Sequence, residues 1–220
     1  FAVSKLSTFQ KPARVCDMKA LLRVIKYLRK TYDWGIFFQT SKSKDIIVFE
    51  SVTDLNENRF QMGKEVPEGY YLILAADASY GMESDKKSRS AYIFTVFGSV
   101  VTWYSKKQSV TALSSTEAEL YALVEGIKEA TWMKGFLEEL GFSIEKPIET
   151  KQDNQSTIAI AINPVHHARV KHFEIKTHYI REKIEDEKLV KLVYCPTELM
   201  VADILTDGNK SVLAYETRRA

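Results

Sequence analysis

The chain has 220 residues, 45% hydrophobic and 27% charged, with 31 basic and 29 acidic side chains and a formal net charge of +2. Such a composition excludes a largely disordered chain, and the even balance excludes a globally basic nucleic-acid binder, so any phosphate-binding surface must be local. Cys16 and Cys195 are far apart and lack CxxC spacing, which signals neither a disulfide framework nor a zinc site. No apolar run reaches the ~18 residues of a membrane span and no signal-peptide pattern opens the chain, so a cytosolic protein is expected. A start at Phe1 is expected of a piece cut from a longer precursor.

Apolar Met18, Leu21, Leu22, Val24, Ile25 and Leu28 recur at helical spacing, predicting a helix over 17–31 with Asp17 as N-cap and basic residues in its last turn. Residues 36–39 and 46–49 read as short strands. The polar stretch 54–67 reads as a boundary, leaving a front segment, 1–66, and a body, 67–220. The body opens with the apolar run 70–76, a buried strand ending at Asp77 and followed by a polar loop. Two β-branched and aromatic runs, 91–97 and 100–104, turn at Gly98-Ser99 as a hairpin. Ser114-Ser115-Thr116-Glu117 has the form of a capping box and starts a long helix stopped by Gly141. Then come a weak strand over 147–152, a short helix over 156–162 broken at Asn163-Pro164, a charged helix over 171–186, a strand over 189–194 and a last helix through Val201–Leu205. Three strands, a helix, a strand, helices, a strand and a helix make an α/β layer fold with a five-stranded mixed sheet.

Four acids stand at element ends or on apolar surfaces: Asp77, Glu119, Asp153 and Asp203. Asp77 alone could equally open an Asx-turn before Gly81. Carboxylates gathered in a pocket repel one another unless divalent cations neutralise them, and two such ions can drive phosphodiester hydrolysis. Lys86, Lys87 and Arg89, then Lys106 and Lys107, then Arg169, Lys171 and Lys176 form local basic clusters that could meet a phosphate backbone or simply be solvated. Lys19, Arg23, Lys26 and Lys30 line one stripe of the first helix, with the same two readings. Tyr92, Phe94, Trp103 and Tyr104 are assigned to the sheet rather than to base stacking.

Asp77-Ala78-Ser79-Tyr80-Gly81, Leu113-Ser114-Ser115-Thr116-Glu117-Ala118-Glu119, Asp153-Asn154-Gln155-Ser156, Lys171-His172-Phe173-Glu174-Ile175 and Ala202-Asp203-Ile204-Leu205-Thr206 resemble, in that order, the ribonuclease H region of a copia-class LTR retrotransposon polyprotein. The front, including Phe1-Ala2-Val3-Ser4-Lys5-Leu6-Ser7, is similar to the end of that family's reverse transcriptase. The resemblance implies an RNase H-like fold and a metal-dependent endoribonuclease that cuts the RNA strand of RNA:DNA hybrids during reverse transcription. Asp77, Glu119, Asp153 and Asp203 would then be the catalytic acids and the ligands of two Mg²⁺ ions, with Mn²⁺ as the alternative. Glu117 competes for the helix role, but residues two apart on a helix point in nearly opposite directions, and the family pattern favours Glu119.

His172 is a proton-shuttle candidate or simply a cap or packing residue of its helix. His166 and His167, on the loop before it, suit solvent or phosphate better than metal. Ser79, Asn154, Gln155, Ser156, Arg169 and Lys171 are the candidate substrate contacts. The implied partners are the hybrid and the polymerase portion of the same polyprotein, with no membrane, in cytoplasmic virus-like particles. The chain departs from the family at Asp207-Gly208-Asn209-Lys210, where Lys and Pro are usual, and it lacks the polymerase's Tyr-x-Asp-Asp motif, so it should not synthesise DNA alone. A non-catalytic nucleic-acid-binding module from a decayed or domesticated element is the alternative, and it would require loss of an acid. A transposase or integrase core would carry its glutamate late, after the sheet.

Overall fold

The computed structural model describes residues 1–8, 14–32, 72–96, 98–163 and 174–207. The strands expected at 36–39 and 46–49 and the boundary between 66 and 67 lie outside them, as do Arg169, Lys171, His172, His166 and His167. Helix α1 spans Ala2–Ser7 and α2 Val15–Lys30. Strands β1 (Ile73–Ser79), β2 (Arg89–Val96) and β3 (Ser99–Lys107) precede the long helix α3 (Ser115–Glu139). Strand β4 (Ile148–Gln152), α4 (Gln155–Ile162), α5 (Glu174–Arg181) and β5 (Val190–Tyr194) follow.

The five strands form one sheet in the order β3-β2-β1-β4-β5. The first three are antiparallel, whereas β4 and β5 run parallel to β1. This is the mixed, helix-flanked sheet of an RNase H-like fold. Parallel pairing needs crossovers, and α3, together with the α4 and α5 region, supplies them. Side chains alternate across a strand, so Leu74, Ala76, Tyr92 and Phe94 share one face and join Leu120, Leu123, Ile127, Ala130 and Met133 of α3 in the main core. The opposite face carries Ala75, which packs with Cys195, Met200 and Ala202.

Gly126 of α3 packs directly on Leu74 of β1. A Cβ there would lie 3.0 Å from both methyls of Leu74, which is wholly buried. Gly126→Val should therefore destabilise the fold by roughly 1–3 kcal/mol through overpacking, read as a lower urea midpoint. An unchanged midpoint would show that Leu74 can move aside.

Several expectations change in detail. Arg14, not Asp17, is the N-cap of α2, and the Asp17 carboxylate accepts from the Arg14 N–H at 2.9 Å. The apolar stripe of α2 is exposed, with Met18, Ile25 and Leu28 each more than half accessible. Strand β1 runs two residues past Asp77. Val96 pairs with Ser99, so the hairpin turns one residue earlier than expected, with Gly98 at φ +78°. Tyr92 and Tyr104 stack at 5.1 Å as cross-strand neighbours, whereas Trp103 faces outward. Helix α5 ends in a π-turn, Glu182–Asp186. The last helix is instead two 3₁₀ turns, Thr197–Leu199 and Val201–Leu205, broken by the extended backbone of Met200. No helix among the described residues is long and apolar enough to cross a membrane.

Candidate active site

Three elements converge at one end of β1. Asp77 sits near the end of that strand, Glu119 in the second turn of α3, and Asp153 directly after β4, which is parallel to β1. One carboxylate oxygen from each lies within 4.8 Å of the other two. The Ser114 hydroxyl accepts from the Glu117 N–H at 3.1 Å and starts α3 at this point. The Ala78 N–H donates to the Glu119 carboxylate, tying the helix to the strand. Asp203, on the second 3₁₀ turn, shares a hydrogen bond with Asp77 but is not one of the three acids whose oxygens lie within 4.8 Å of one another.

Burial is the first cause of the site's electrostatics. Asp77 and Glu119 are almost inaccessible, and burial penalises the charged carboxylate. Burial, followed by the charges of Asp77 and Asp153, drives Glu119 well above the usual carboxylate range. Burial, with Asp203 and Asp153 nearby, pushes Asp77 up to about 7, although the Thr206 hydroxyl holds it down in part. In both Asp77 and Glu119, burial and the neighbouring acids favour the protonated carboxyl.

The donor set fits a hard divalent cation. All donors are carboxylate oxygens, which suit a hard divalent cation such as Mg²⁺ or Mn²⁺ rather than a thiolate- or imidazole-seeking metal, and a cation would offset the repulsion among them. Asp77, Glu119 and Asp153 would hold it, with Asp203 beside Asp77.

Glu117 faces elsewhere. Its carboxylate accepts from the Leu113 N–H at 2.7 Å, closing the start of α3 one residue before the expected Ser114 N–H. Asn154 caps α4, its side-chain oxygen accepting from the Thr157 N–H at 3.0 Å, with its amide nitrogen still able to donate. Gln155 and Ser156 are exposed on the first turn of α4 next to Asp153, and Ser79 is half-buried two residues beyond Asp77. Arg89 is wholly buried on Glu83 and cannot meet a phosphate backbone.

Three residues given no role from the sequence support the acids. The fully buried Gln152 offers its amide to Glu119 at 3.4 Å, while its oxygen accepts from the N–H groups of Asp153 at 2.8 Å and Asn154 at 3.1 Å. Thr206 donates to Asp77, and Thr197 donates to Asp153 at 2.9 Å. The only signal for Gln152 was its place next to Asp153, and for Thr206 its place in the Asp203 motif; Thr197 had none.

No protein-family profile matches the chain. Over 122 residues, 56% of its length, the chain is 43% identical to the retrovirus-related Pol polyprotein from transposon TNT 1-94 of Nicotiana tabacum. It is 28% identical over 207 residues, 94% of its length, to that from transposon RE1 of Arabidopsis thaliana. These alignments span only 9% and 12% of the two polyproteins. Among solved structures, LC11-RNase H1, isolated from compost by a metagenomic approach, is 18% identical, with 68% of this chain and 99% of that one covered at a TM-score of 0.49. The fold assignment stands on the strand order, not on that likeness.

Proposed function

We propose that the chain, which is similar to retrovirus-related Pol polyproteins of plant transposons, is the ribonuclease H region of a copia-type polyprotein and a metal-dependent endoribonuclease cutting the RNA strand of RNA:DNA hybrids during reverse transcription. The observation that carries the reading is the convergence of Asp77, Glu119 and Asp153 within 4.8 Å, from three elements distant in sequence. Two divalent cations held by these acids and Asp203 would activate the attacking water and stabilise the leaving oxygen of the phosphodiester. Gln152 would keep Glu119 and the end of β4 in register, and Thr206 and Thr197 would orient Asp77 and Asp153. Ser79, Gln155, Ser156 and the amide of Asn154 are the proposed contacts to the RNA strand, whose 2′-hydroxyl needs both a donor and an acceptor. Arg169, Lys171 and a proton-shuttling His172 belong to the same proposal on the motif alone. So do residues 1–66 as the end of a reverse transcriptase, the polymerase portion as partner and a setting in cytoplasmic virus-like particles.

Labelled RNA presented as RNA:DNA hybrid, RNA duplex and single strand tests the reading. Cleavage of the hybrid alone, with Mg²⁺ and not with chelator, is the expected result. Binding of hybrid without cleavage in Mg²⁺ or Mn²⁺ would leave a non-catalytic nucleic-acid-binding module.

A further inference from the structure

Helix α1 has six residues, none of them buried, and so short a helix does not persist in water unaided. It is pinned to the body by a buried polar cluster. Lys5 pairs with Glu83, and Glu83 accepts from Arg89 through Nε at 3.1 Å and Nη2 at 2.8 Å. Arg89 Nη1 donates to the Ser4 hydroxyl at 2.7 Å, and the Phe1 ring lies 5.4 Å from the guanidinium. Burial alone would raise the Glu83 carboxyl, but the hydrogen bonds and charges of Lys5 and Arg89 outweigh it and hold it below its usual value.

The same guanidinium reaches toward the acidic site. Arg89 Nη1 lies 3.5 Å from Ser105 Oγ, and Ser105 in turn donates to the Leu205 carbonyl at 2.7 Å. Asp77, Ala91 and Ser105 are direct cross-strand partners, one row across β1, β2 and β3. The turn Val201–Leu205 lies over that row and is held at both ends of it. Ser105 takes the Leu205 carbonyl, and Asp77 takes the hydroxyl of the next residue, Thr206. A 3₁₀ turn of five residues has little rigidity of its own, so these two anchors act with the packing of Ala202 on Ala75 to hold Asp203 against Asp77.

We infer that α1, Arg89 and Ser105 are positioning elements for the acidic site: α1 holds Arg89, Arg89 orients Ser105, and Ser105 fixes the turn that carries Asp203 and Thr206. The inference rests on the proposed nuclease only for its consequence in metal affinity. In the full chain, Ser105→Ala should speed amide exchange at Thr206 and Asp207, both of which donate to the Asp203 carbonyl, by about tenfold. It should also weaken Mg²⁺ binding severalfold by calorimetry. Ser105→Thr, which keeps a hydroxyl, should preserve both. The double variant Ser4→Ala/Lys5→Ala, which releases α1 while leaving Glu83 on Arg89, should act in the same direction, and combining it with Ser105→Ala should add less than the sum because both act through one link.

Unchanged exchange at Thr206 and Asp207 in Ser105→Ala would overturn the inference. So would an α1 variant that lowers Tm while leaving exchange and Mg²⁺ affinity at wild-type values, or full additivity of the two changes. A turn that loosens as expected in a protein that binds no Mg²⁺ would sustain the coupling and remove the nuclease reading.

Discussion

Asp77→Asn is expected to lower metal-dependent cleavage of hybrid by at least roughly a hundredfold, the scale of losing one preorganised electrostatic group, while the protein stays folded. The substitution keeps an oxygen for the Thr206 hydroxyl but removes a buried, ionisable carboxyl that interacts with Asp203 and Asp153. Its effect on stability depends on pH. Asp77 titrates at about 7 in the folded protein against 3.8 ordinarily, so between those values the folded state binds a proton that the unfolded state lacks. Stability from this group is therefore full below about pH 4, falls as pH rises toward 7, and then levels off. Glu119, also raised, adds a loss of the same sign. In chelator, the Tm of the wild-type protein should fall over that range, and Asp77→Asn should fall less and be the more stable protein at pH 8. Mg²⁺ at pH 8 should raise the wild-type Tm and leave that of the variant nearly unmoved. Cleavage at the wild-type rate by folded Asp77→Asn would remove Asp77 from the site.

Glu119→Gln should be inactive, whereas Glu117→Gln should cleave at close to the wild-type rate with a stability loss of roughly 1 kcal/mol, the usual scale of a lost cap. The carboxylates sit two residues apart on α3 and are both buried, yet Glu117 is spent on the Leu113 N–H and Glu119 lies with Asp77 and Asp153. Activity assays and denaturation midpoints on the two variants decide the matter. Loss of activity in Glu117→Gln with retention in Glu119→Gln would place the functional helix acid two residues earlier.

Arg89, in the Lys86, Lys87 and Arg89 cluster, fits neither the phosphate-facing nor the solvated reading, whereas Lys86 is exposed and Lys87 half-buried. Read along the chain, three basic residues beside a turn suggest a phosphate-facing or solvated loop. In the folded protein, Arg89 opens β2 on the face turned away from α3 and is wholly buried against Glu83, Ser4 and Ser105. Charge runs are legible in sequence; the strand face each charge takes follows from register, which pairs Arg89 with Ser79 and Lys107. The last helix failed for a related reason. Val201, Ala202, Ile204 and Leu205 suggest a helical stripe, but the extended backbone of Met200 interrupts it, leaving two short 3₁₀ turns with Ala202 packed against Ala75.

What the sequence determined by itself was local and periodic. The apolar run before Asp77 made β1, Ser114 and Gly141 bounded α3, Gly98 allowed the hairpin turn, and the four acids were legible because each stands at the end of such an element or on an apolar stretch. Tertiary structure alone decided which polar groups serve those acids. Gln152 on Glu119, Thr197 on Asp153, Thr206 on Asp77 and Ser105 on Leu205 span between 33 and 129 residues of chain, and nothing in local spacing encodes them. Their pairing follows from burial. Once the sheet and α3 exclude water from Asp77 and Glu119, each remaining polar group there must find a protein partner, and the fold determines which one is within reach.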